Sequence, residues 1–277
     1  MGYDAFVLCN CYKEGKTSDP PYPDFIRITD EGIDLDLQNV DTFDSAEKLS
    51  IYIEFDQWKA TGCSHENMRY ANESIANSSG MVDFITSLEL QDGEMKFPVL
   101  MKCLESRNER SISSEISGHI LQELLEIEKS NFSEEKVLLQ LKDSDTRLQS
   151  TNADHQLIFK WSGHNKENFC IDQNSFSIVE NRKFLWIEKL VEVFRSNEFK
   201  QLTKRNGQFC FVDCATGKNF STRSKILPND NSSPLAEYHF IVRKEQVSFI
   251  TEYGRIIHAL KQLTIASIEM GNPIIWS

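Results

Sequence analysis

The chain has 277 residues, of which 40% are hydrophobic and 26% charged, a composition that is typical of a folded globular protein and excludes a largely disordered one. Its net charge of −12 and the lack of any apolar run near the roughly 18 residues of a membrane span argue against binding to nucleic acid or a membrane. The N-terminus has no basic region and places Asp4 inside its only apolar stretch, so we expect no secretory signal and a cytoplasmic protein.

The first part of the chain mixes the two-residue period of strands with the three-to-four-residue period of helices. In chain order, the pattern predicts a buried strand over residues 3–11, an acidic hairpin over 24–37, helices over 65–77 and 81–88, a buried strand over 97–104 and a helix over 113–129. Between the first strand and the hairpin, Pro20, Pro21 and Pro23 predict an extended loop, because proline removes backbone donors.

The second part of the chain predicts mainly strands, followed by a long helix over Val247–Met270 that Gly271, Asn272 and Pro273 bring to an end. Polar residues near 143–155 suggest a boundary between an acidic region, 1–145, and a β-rich region, 155–277, although one continuous domain is the alternative. The fold class we predict is α+β, with a mixed, mainly antiparallel sheet, several helices and a long C-terminal helix.

Charge is distributed unevenly along the chain. Residues 1–150 contain 14 Lys and Arg against 29 Asp and Glu, a net charge of −15, whereas residues 151–277 contain 16 against 13, a net charge of +3. Ten acidic residues fall within 24–56, against Arg27 and Lys48. Such a field attracts basic partners and repels phosphates, and a solvated face that keeps the protein in solution is the alternative interpretation.

Two short pairs of potential metal ligands, Cys9 with Cys11 and Cys63 with His65, lie 51 residues apart. Structural zinc sites usually draw four thiolate and imidazole ligands as two such local pairs. In a regular strand, however, the side chains of Cys9 and Cys11 would lie about 6.6 Å apart, so the strand would have to end by Asn10. The cofactor we predict is accordingly either none or zinc, with these four residues as its ligands.

Two other interpretations of these cysteines stay open. They can be buried thiols beside a histidine that caps a helix, or Cys9 or Cys11 can be a nucleophile with His65 as its base. The acidic surroundings oppose the second interpretation, because negative charge raises the pKa of a thiol.

Other candidate residues carry weaker patterns. Four aspartates of the acidic segment could bind a hard cation together, but they lack the spacing of a calcium loop. Cys210 and Cys214 are interpreted as core residues. For each histidine, a structural role explains the sequence as well as a functional one. The sequence contains no phosphate-binding loop, dinucleotide fingerprint, nucleophile elbow or H-E-x-x-H motif. The aspartates are Asp34, Asp36, Asp41 and Asp44, and the histidines, with one neighbouring tryptophan, are His119, His155, Trp161, His164 and His258.

Three stretches, "MGYDAFVLCNCYKEGKTSDPP", "CSHENMRYANESIANSSG" and "ASIEMGNPIIWS", resemble a family of uncharacterised bacterial proteins. Its members begin with a CNCY element followed by Gly-Lys and prolines, carry a C-x-H-x-x-M segment and end in S-I-x-x-G-N-P-x-x-W. The resemblance covers about a quarter of the residues and implies no activity, substrate or cofactor. It implies that the cysteine-rich start, the Cys63–His65 segment and Asn272-Pro273 belong to one unit.

Two hypotheses for the function follow. The first is a cytosolic binding protein, similar in role to an immunity protein, whose acidic N-terminal half engages a basic protein partner and binds neither nucleic acid nor a membrane. The second is a metal- or thiol-dependent enzyme centred on Cys9, Cys11, Cys63 and His65. The lack of an enzyme motif favours the first, and scaffolding within a larger complex is not distinguishable from it.

Overall fold

The beginning and the end of the sequence fold together. The computed structural model describes residues 2–29, 32–37, 43–105, 111–142, 147–152, 157–159, 167–172, 174–184, 187–204, 207–226 and 237–277. Residues 1–132 and 249–277 form a first unit, and residues 133–248 form a second. This division differs from the expected boundary at 145–155, because the long C-terminal helix returns to pack in the first unit.

The first unit contains a four-stranded antiparallel sheet, a separate hairpin and all of the described α-helices. Its strands are β1 (Gly2–Leu8), β2 (Ile26–Thr29), β3 (Gly32–Leu35), β4 (Arg69–Asn77), β5 (Ser111–Ile112) and β16 (Ile274–Trp276). Its helices are α1 (Ser45–Thr61), α2 (Ser78–Glu89), α3 (Gly93–Lys96), α4 (Pro98–Glu105), α5 (Ser114–Lys129) and α6 (Phe249–Met270). The sheet has the order β4-β1-β16-β5, and β2 pairs with β3 in the hairpin.

The main core of the first unit lies where α5 and α6 bury the apolar faces that their sequences predict. Ile120, Leu124 and Ile127 of α5 and Leu260 and Leu263 of α6 are all buried in one cluster, which also contains the inner residues of β1. These positions repeat at intervals of three and four residues, so each helix places a continuous stripe toward the core. The predicted helices over 81–88, 113–129 and 247–270 are therefore confirmed.

Two predicted elements were wrong, and one long helix was missed. Residues 69–77 form β4 rather than a helix, because pairing with β1 along seven positions outweighs a weak helical pattern. Residues 98–105 form α4 rather than a strand, since Pro98 suits a first helical turn and a short apolar run has no decisive period. The missed helix, α1, begins at a capping box formed by Asp44 and Glu47.

The second unit is built from antiparallel strands around a core of phenylalanine rings. Its strands are β6 (Ser133–Leu141), β7 (Arg147–Asn152), β8 (Leu157–Phe159), β9 (Glu167–Ile171), β10 (Phe176–Phe184), β11 (Ile187–Ser196), β12 (Glu198–Thr203), β13 (Phe209–Asp213), β14 (Asn219–Thr222) and β15 (Glu237–Ser248). They form two sheets, β11-β10-β9-β8 and β14-β13-β12-β15-β6-β7. Phe176 of one sheet stacks on Phe199 of the other, with ring centroids 4.5 Å apart.

The whole arrangement confirms the predicted fold class. Helices and strands are both abundant, every strand pairing among the described residues is antiparallel, and the long helix α6 lies near the C-terminus. None of the helices in the described ranges is both long and apolar enough to cross a membrane.

Candidate metal centre and adjacent cavity

The pairing of β1 with β4 brings the two predicted ligand pairs together. The last register position joins Leu8 to Arg69, and the amide of Cys9 donates to the carbonyl of Met68 at 2.8 Å. Cys9 and Cys11 follow β1 directly, while Cys63 and His65 come just before β4. Because the two strands are antiparallel, both pairs lie at the same end of the sheet.

The four side chains form a compact group of potential ligand atoms. The Sγ atoms of Cys9 and Cys63 are 3.8 Å apart, and His65 Nδ1 lies 3.3 Å from Cys11 Sγ and 3.9 Å from Cys63 Sγ. All four atoms lie within 4.8 Å of one another. A tetrahedral zinc ion, with bonds of about 2.3 Å to sulfur and about 2.0 Å to nitrogen, separates its ligands by about 3.5–3.8 Å. These three distances are close to that spacing.

The strand ends early enough to allow this geometry. β1 stops at Leu8, and residues 10–15 turn back, with the amide of Glu14 donating to the carbonyl of Asn10 and the amide of Lys16 to that of Cys11. Gly15 closes the turn with φ +67, a conformation that suits glycine. The 6.6 Å spacing of a regular strand therefore does not apply to Cys9 and Cys11.

The geometry also bears on the two other interpretations of the cysteines. His65 precedes a short 3-10 helix, Glu66–Met68, but its side chain makes no capping hydrogen bond and faces the thiols instead. Burial raises the pKa of the Cys9 thiol to about 12; a hydrogen bond with the backbone of Cys11 opposes this rise, and the Cys11 and Cys63 side chains add to it. A metal-free Cys9 would thus be a protonated thiol at neutral pH, which is the opposite of an activated nucleophile.

The group of ligands borders a small core of its own. Cys9 and Cys11 are buried with Trp58 of α1, Leu35 of the hairpin and Met68. The indole Nε1 of Trp58 donates to the carbonyl of Ser18 at 3.0 Å, which fixes the loop after Cys11 against α1. The ligands therefore connect the end of β1, the end of α1 and the start of β4, in a region whose buried core contains few apolar side chains.

Asn272, which follows the end of α6, holds the cysteine-containing turn in place. Its Nδ2 donates to the carbonyl of Leu8 at 2.8 Å and to Asn10 Oδ1 at 3.0 Å, while its Oδ1 accepts from Lys13 Nζ at 3.2 Å. Asn10 Nδ2 in turn donates to the carbonyl of Met270 at 2.7 Å. The segment after α6 is therefore tied to the turn by the side-chain amides of buried Asn272 and half-buried Asn10.

A cavity of about 400 Å³ lies beside the ligand group. Its wall includes Cys9 and Lys13 from the first turn, Asn67 from the 3-10 helix before β4, Arg69 from the start of β4, and Asn272 from the segment after α6. Residues from three separate stretches of the chain, 1–21, 63–80 and 266–277, therefore contribute to one cavity. Sequence analysis did not identify Lys13 or Arg69, since an isolated cation has no motif.

The backbone on one side of this cavity is strained. Asn67 and Met68 both have positive φ angles, 52° and 57°. Successive residues other than glycine are rare in this region and cost free energy, so the surrounding contacts must hold them there. The amide of Met68 donates to the carbonyl of His65 at 3.0 Å, which links this turn to the ligand group.

The acidic segment includes one helix face that is apolar and exposed. On α1, Leu49, Tyr52 and Ile53 are 61%, 37% and 49% exposed, and they share a face with exposed Asp56 at spacings of three and four residues. We call these four residues the α1 outer face. The opposite face of the helix is buried through Ile51, Phe55 and Trp58, so α1 is apolar on two sides.

The aspartates considered as a cation site have separate local roles. Asp44 caps α1, Asp34 Oδ1 accepts from the amide of Leu35 at 2.8 Å, and Asp36 lies 3.9 Å from Arg27. Asp41 lies outside the described residues. These contacts do not form a shared ligand group.

The second unit contains a smaller group of potential ligands, Glu198, Cys214 and His239. His239 Nε2 lies 2.9 Å from Glu198 Oε1 and 3.5 Å from Cys214 Sγ, but the same carboxylate oxygen accepts from Lys142 Nζ at 2.5 Å. Lys142 and His239 hold the pKa of Glu198 below its usual value. The Lys142 ammonium group thus occupies the position beside Glu198 Oε1 that a metal ion would need.

The remaining candidates divide between core, surface and undescribed residues. Cys210 is buried as expected, but Cys214 is exposed, because it follows the last residue of β13. His119 and His258 lie on exposed positions of α5 and α6. His155, Trp161 and His164 lie outside the described residues.

Comparison with known proteins adds no family to this geometry. No protein-family model matches the chain, and no significant match was found among curated proteins or solved structures.

Proposed function

We propose that the first unit binds one zinc ion through Cys9, Cys11, Cys63 and His65, and that the ion is structural. The observation that carries this proposal is the approach of four ligand atoms within 4.8 Å of one another. Three thiolates and one imidazole are a set that selects zinc among the common cellular metals.

A structural role follows from the number and origin of the ligands. Four protein ligands complete a tetrahedral site, whereas catalytic zinc sites keep one position for water or substrate. The ligands also join three segments around a core with few buried side chains, where one ion adds stability that apolar packing alone would not supply. This argues against the metal-dependent enzyme of the second hypothesis, and the high pKa of Cys9 argues against the thiol-dependent one.

Metal analysis of the purified protein tests the proposal. The chain is produced without a histidine tag, and its zinc content is measured by inductively coupled plasma mass spectrometry. We expect one zinc per chain, and we expect C63A and H65A to lose it. The matched control is C103A, which removes a buried cysteine of the same unit that lies outside the ligand group.

Cobalt substitution gives the coordination geometry. Replacement of zinc by Co²⁺ should produce the intense visible absorption of a tetrahedral cobalt–thiolate centre, and C11A should weaken it. Zinc-free protein that keeps its stability, or equal metal content in C63A and C103A, would contradict the proposal.

A second function is favoured by the α1 outer face. We infer that this face binds a basic, amphipathic segment of a partner protein, in agreement with the first hypothesis. Three exposed apolar side chains on one helix face are typical of an interaction surface, and exposed Glu47, Glu54 and Asp56 lie on the same helix. The first unit holds 13 Lys and Arg against 27 Asp and Glu, so its field attracts a basic partner.

A designed peptide of leucine and lysine, helical and labelled with a fluorophore, is a suitable probe of this surface. We expect fluorescence anisotropy to report binding that weakens with added salt and is lost in the double variant L49S/I53S. V82S is the matched control, because Val82 is a similarly exposed apolar residue on α2. Binding that is insensitive to salt, or equally reduced by V82S, would exclude this role for the α1 outer face.

A further inference from the structure

The described part of the cavity wall beside the ligand group is positively charged, in a unit that is strongly acidic. Among the described residues, the charged ones in the wall are Lys13, Lys59, Arg69 and Asp56, a net charge of +2, whereas the unit as a whole has 14 more acidic than basic residues, 27 against 13. A zinc ion with three thiolates has a formal charge of −1, which leaves the cavity and the metal site together at +1. The concentration of cations here is therefore not a consequence of the overall composition.

Two of these cations have no carboxylate partner among the residues that the structure describes. Lys59 lies 3.7 Å from Asp56, but Lys13 Nζ donates to the neutral amide of Asn272, and Arg69 donates to the amide of Asn72 at 3.2 Å. Within the described ranges of the chain, neither Lys13 nor Arg69 forms an ion pair. Two such cations on the wall of one cavity attract an anion.

The orientation of Arg69 is fixed by an aromatic ring. Its guanidinium group lies over the ring of Phe6, with its carbon 4.1 Å from the ring centroid, and Phe6 also lines the cavity. Stacking of this kind holds the planar group while leaving its other N–H donors available. Arg69 is thus pre-organised to donate hydrogen bonds to a ligand.

The rest of the wall indicates an organic ligand rather than an inorganic ion. Phe6, Leu8, Ile28, Ile33 and Met68 contribute apolar surface. The volume of about 400 Å³ lies within the range of about 300–1,000 Å³ that small-molecule sites have. An inorganic anion alone would leave most of this space and its apolar surface unused.

We propose that this cavity binds a small organic anion, with a carboxylate, sulfonate or phosphate group at Lys13 and Arg69 and an apolar skeleton against Phe6, Leu8 and Ile33. The Asn67 and Asn272 side chains supply amide donors and acceptors for further polar groups. This function goes beyond the structural zinc site and the partner-binding face, although the zinc site supports one side of the cavity.

A pair of fluorescent probes tests the proposal on the zinc-containing protein. The anionic probe is 8-anilinonaphthalene-1-sulfonate, and the neutral control is N-phenyl-1-naphthylamine, which has the same aromatic skeleton without the sulfonate. We expect one anionic probe per chain and much weaker binding of the neutral one. K13M and R69M should each weaken binding of the anionic probe about tenfold or more, since each removes a charged hydrogen-bond donor.

Controls separate the cavity from other surfaces. K102M removes an exposed cation of α4 that does not line the cavity, and L49S/I53S removes apolar side chains of the α1 outer face. Both should bind the anionic probe as the unchanged protein does. Equal probe affinity in the unchanged protein, K13M and R69M, or an equal loss in K102M, would overturn the proposal.

The failure of the cavity proposal can be distinguished from failure of the zinc proposal. Zinc content and near-ultraviolet circular dichroism are measured for every variant, and K13Q replaces K13M if the latter loses zinc. Loss of probe binding with one zinc retained supports the anion site. Displacement of the probe by phenyl phosphate or by benzoate identifies the preferred anionic group, and displacement by neither contradicts the proposal.

Discussion

Leu8 of β1 pairs with Arg69 of β4 one residue beyond a shift in register, because the preceding pair joins Val7 to Ala71. Tyr70 is therefore the extra residue of a β-bulge at the end of the strand pair. Bulges of this kind redirect the chain and are common beside functional sites. Here the bulge adjoins the ligand pairs, its paired residues Leu8 and Arg69 line the cavity, and Arg69 lies over the ring of Phe6.

Removal of the proposed zinc ion is expected to loosen the segments that contain Cys9, Cys11, Cys63 and His65. At a free zinc concentration about 1,000 times the dissociation constant, bound zinc stabilises a folded unit by about 4 kcal/mol. Chelation should therefore increase hydrogen exchange in peptides that cover 9–16 and 62–68, measured by mass spectrometry. Peptides from α5 serve as the internal control, and a uniform increase across them would contradict a local role.

Asn272→Ala is expected to destabilise the first unit by about 1–3 kcal/mol. The substitution leaves the carbonyl of Leu8 and the Asn10 amide without the donor that the structure gives them. Urea denaturation measures the loss. Asn67→Gly is a useful comparison, since Asn67 is an exposed residue of the same cavity wall and glycine readily adopts its positive φ of 52°, and an equal effect of the two substitutions would contradict this account of Asn272.

Asp213→Asn is expected to destabilise the second unit at neutral pH. Hydrogen bonds from the Ser196 hydroxyl, at 2.5 Å, and from the Thr216 hydroxyl and amide hold the pKa of Asp213 below its usual value. A carboxylate with a lowered folded pKa contributes stability above its unfolded pKa, about 3.9, and this contribution is lost as the pH falls through the folded pKa.

The difference in unfolding free energy between the unchanged protein and D213N should therefore be largest above pH 4 and decrease in more acidic solution. Urea denaturation at pH 7 and at pH 3 measures both values. A difference that grows toward pH 3 would show that the carboxylate is not stabilised in the folded state.

Phe176→Ala is expected to lower the free energy of unfolding of the second unit by about 3–5 kcal/mol, the range for truncation of a buried aromatic side chain. Phe176 is fully buried and contacts the rings of Phe169, Phe194, Phe199 and Phe211. Phe220→Ala is the control, since Phe220 is only partly buried beside the same core. Thermal unfolding followed by circular dichroism would show a much smaller shift for the control.

Long and strongly periodic segments were predictable from the sequence. α5 and α6 have apolar residues at the spacing of one helix face, and β2 pairs with β3 in the predicted hairpin. The group of Cys9, Cys11, Cys63 and His65 was also predictable, because local pairs of cysteine and histidine carry a recognisable spacing. Its metal is still a proposal.

Elements whose structure depends on distant partners were not predictable in this way. The residues of β4 are mostly polar, and its conformation is decided by the backbone of β1. α1 has apolar side chains on opposite faces, so it lacks the single stripe that identifies a helix. Lys13 and Arg69 meet only through the fold, and neither carries a sequence pattern that marks a binding cavity.

The position of β16 has a consequence for synthesis of the protein on the ribosome. β1 lies between β4 and β16. The edge of β1 that faces away from β4 therefore has no hydrogen-bonded neighbour until residues 274–276 have been translated. Every strand of the second unit precedes residue 249, and that unit can mature while the chain is still growing. The edge of β1 that pairs with β16 therefore stays unpaired during most of synthesis, and in that time it is exposed to chaperones and to other nascent chains.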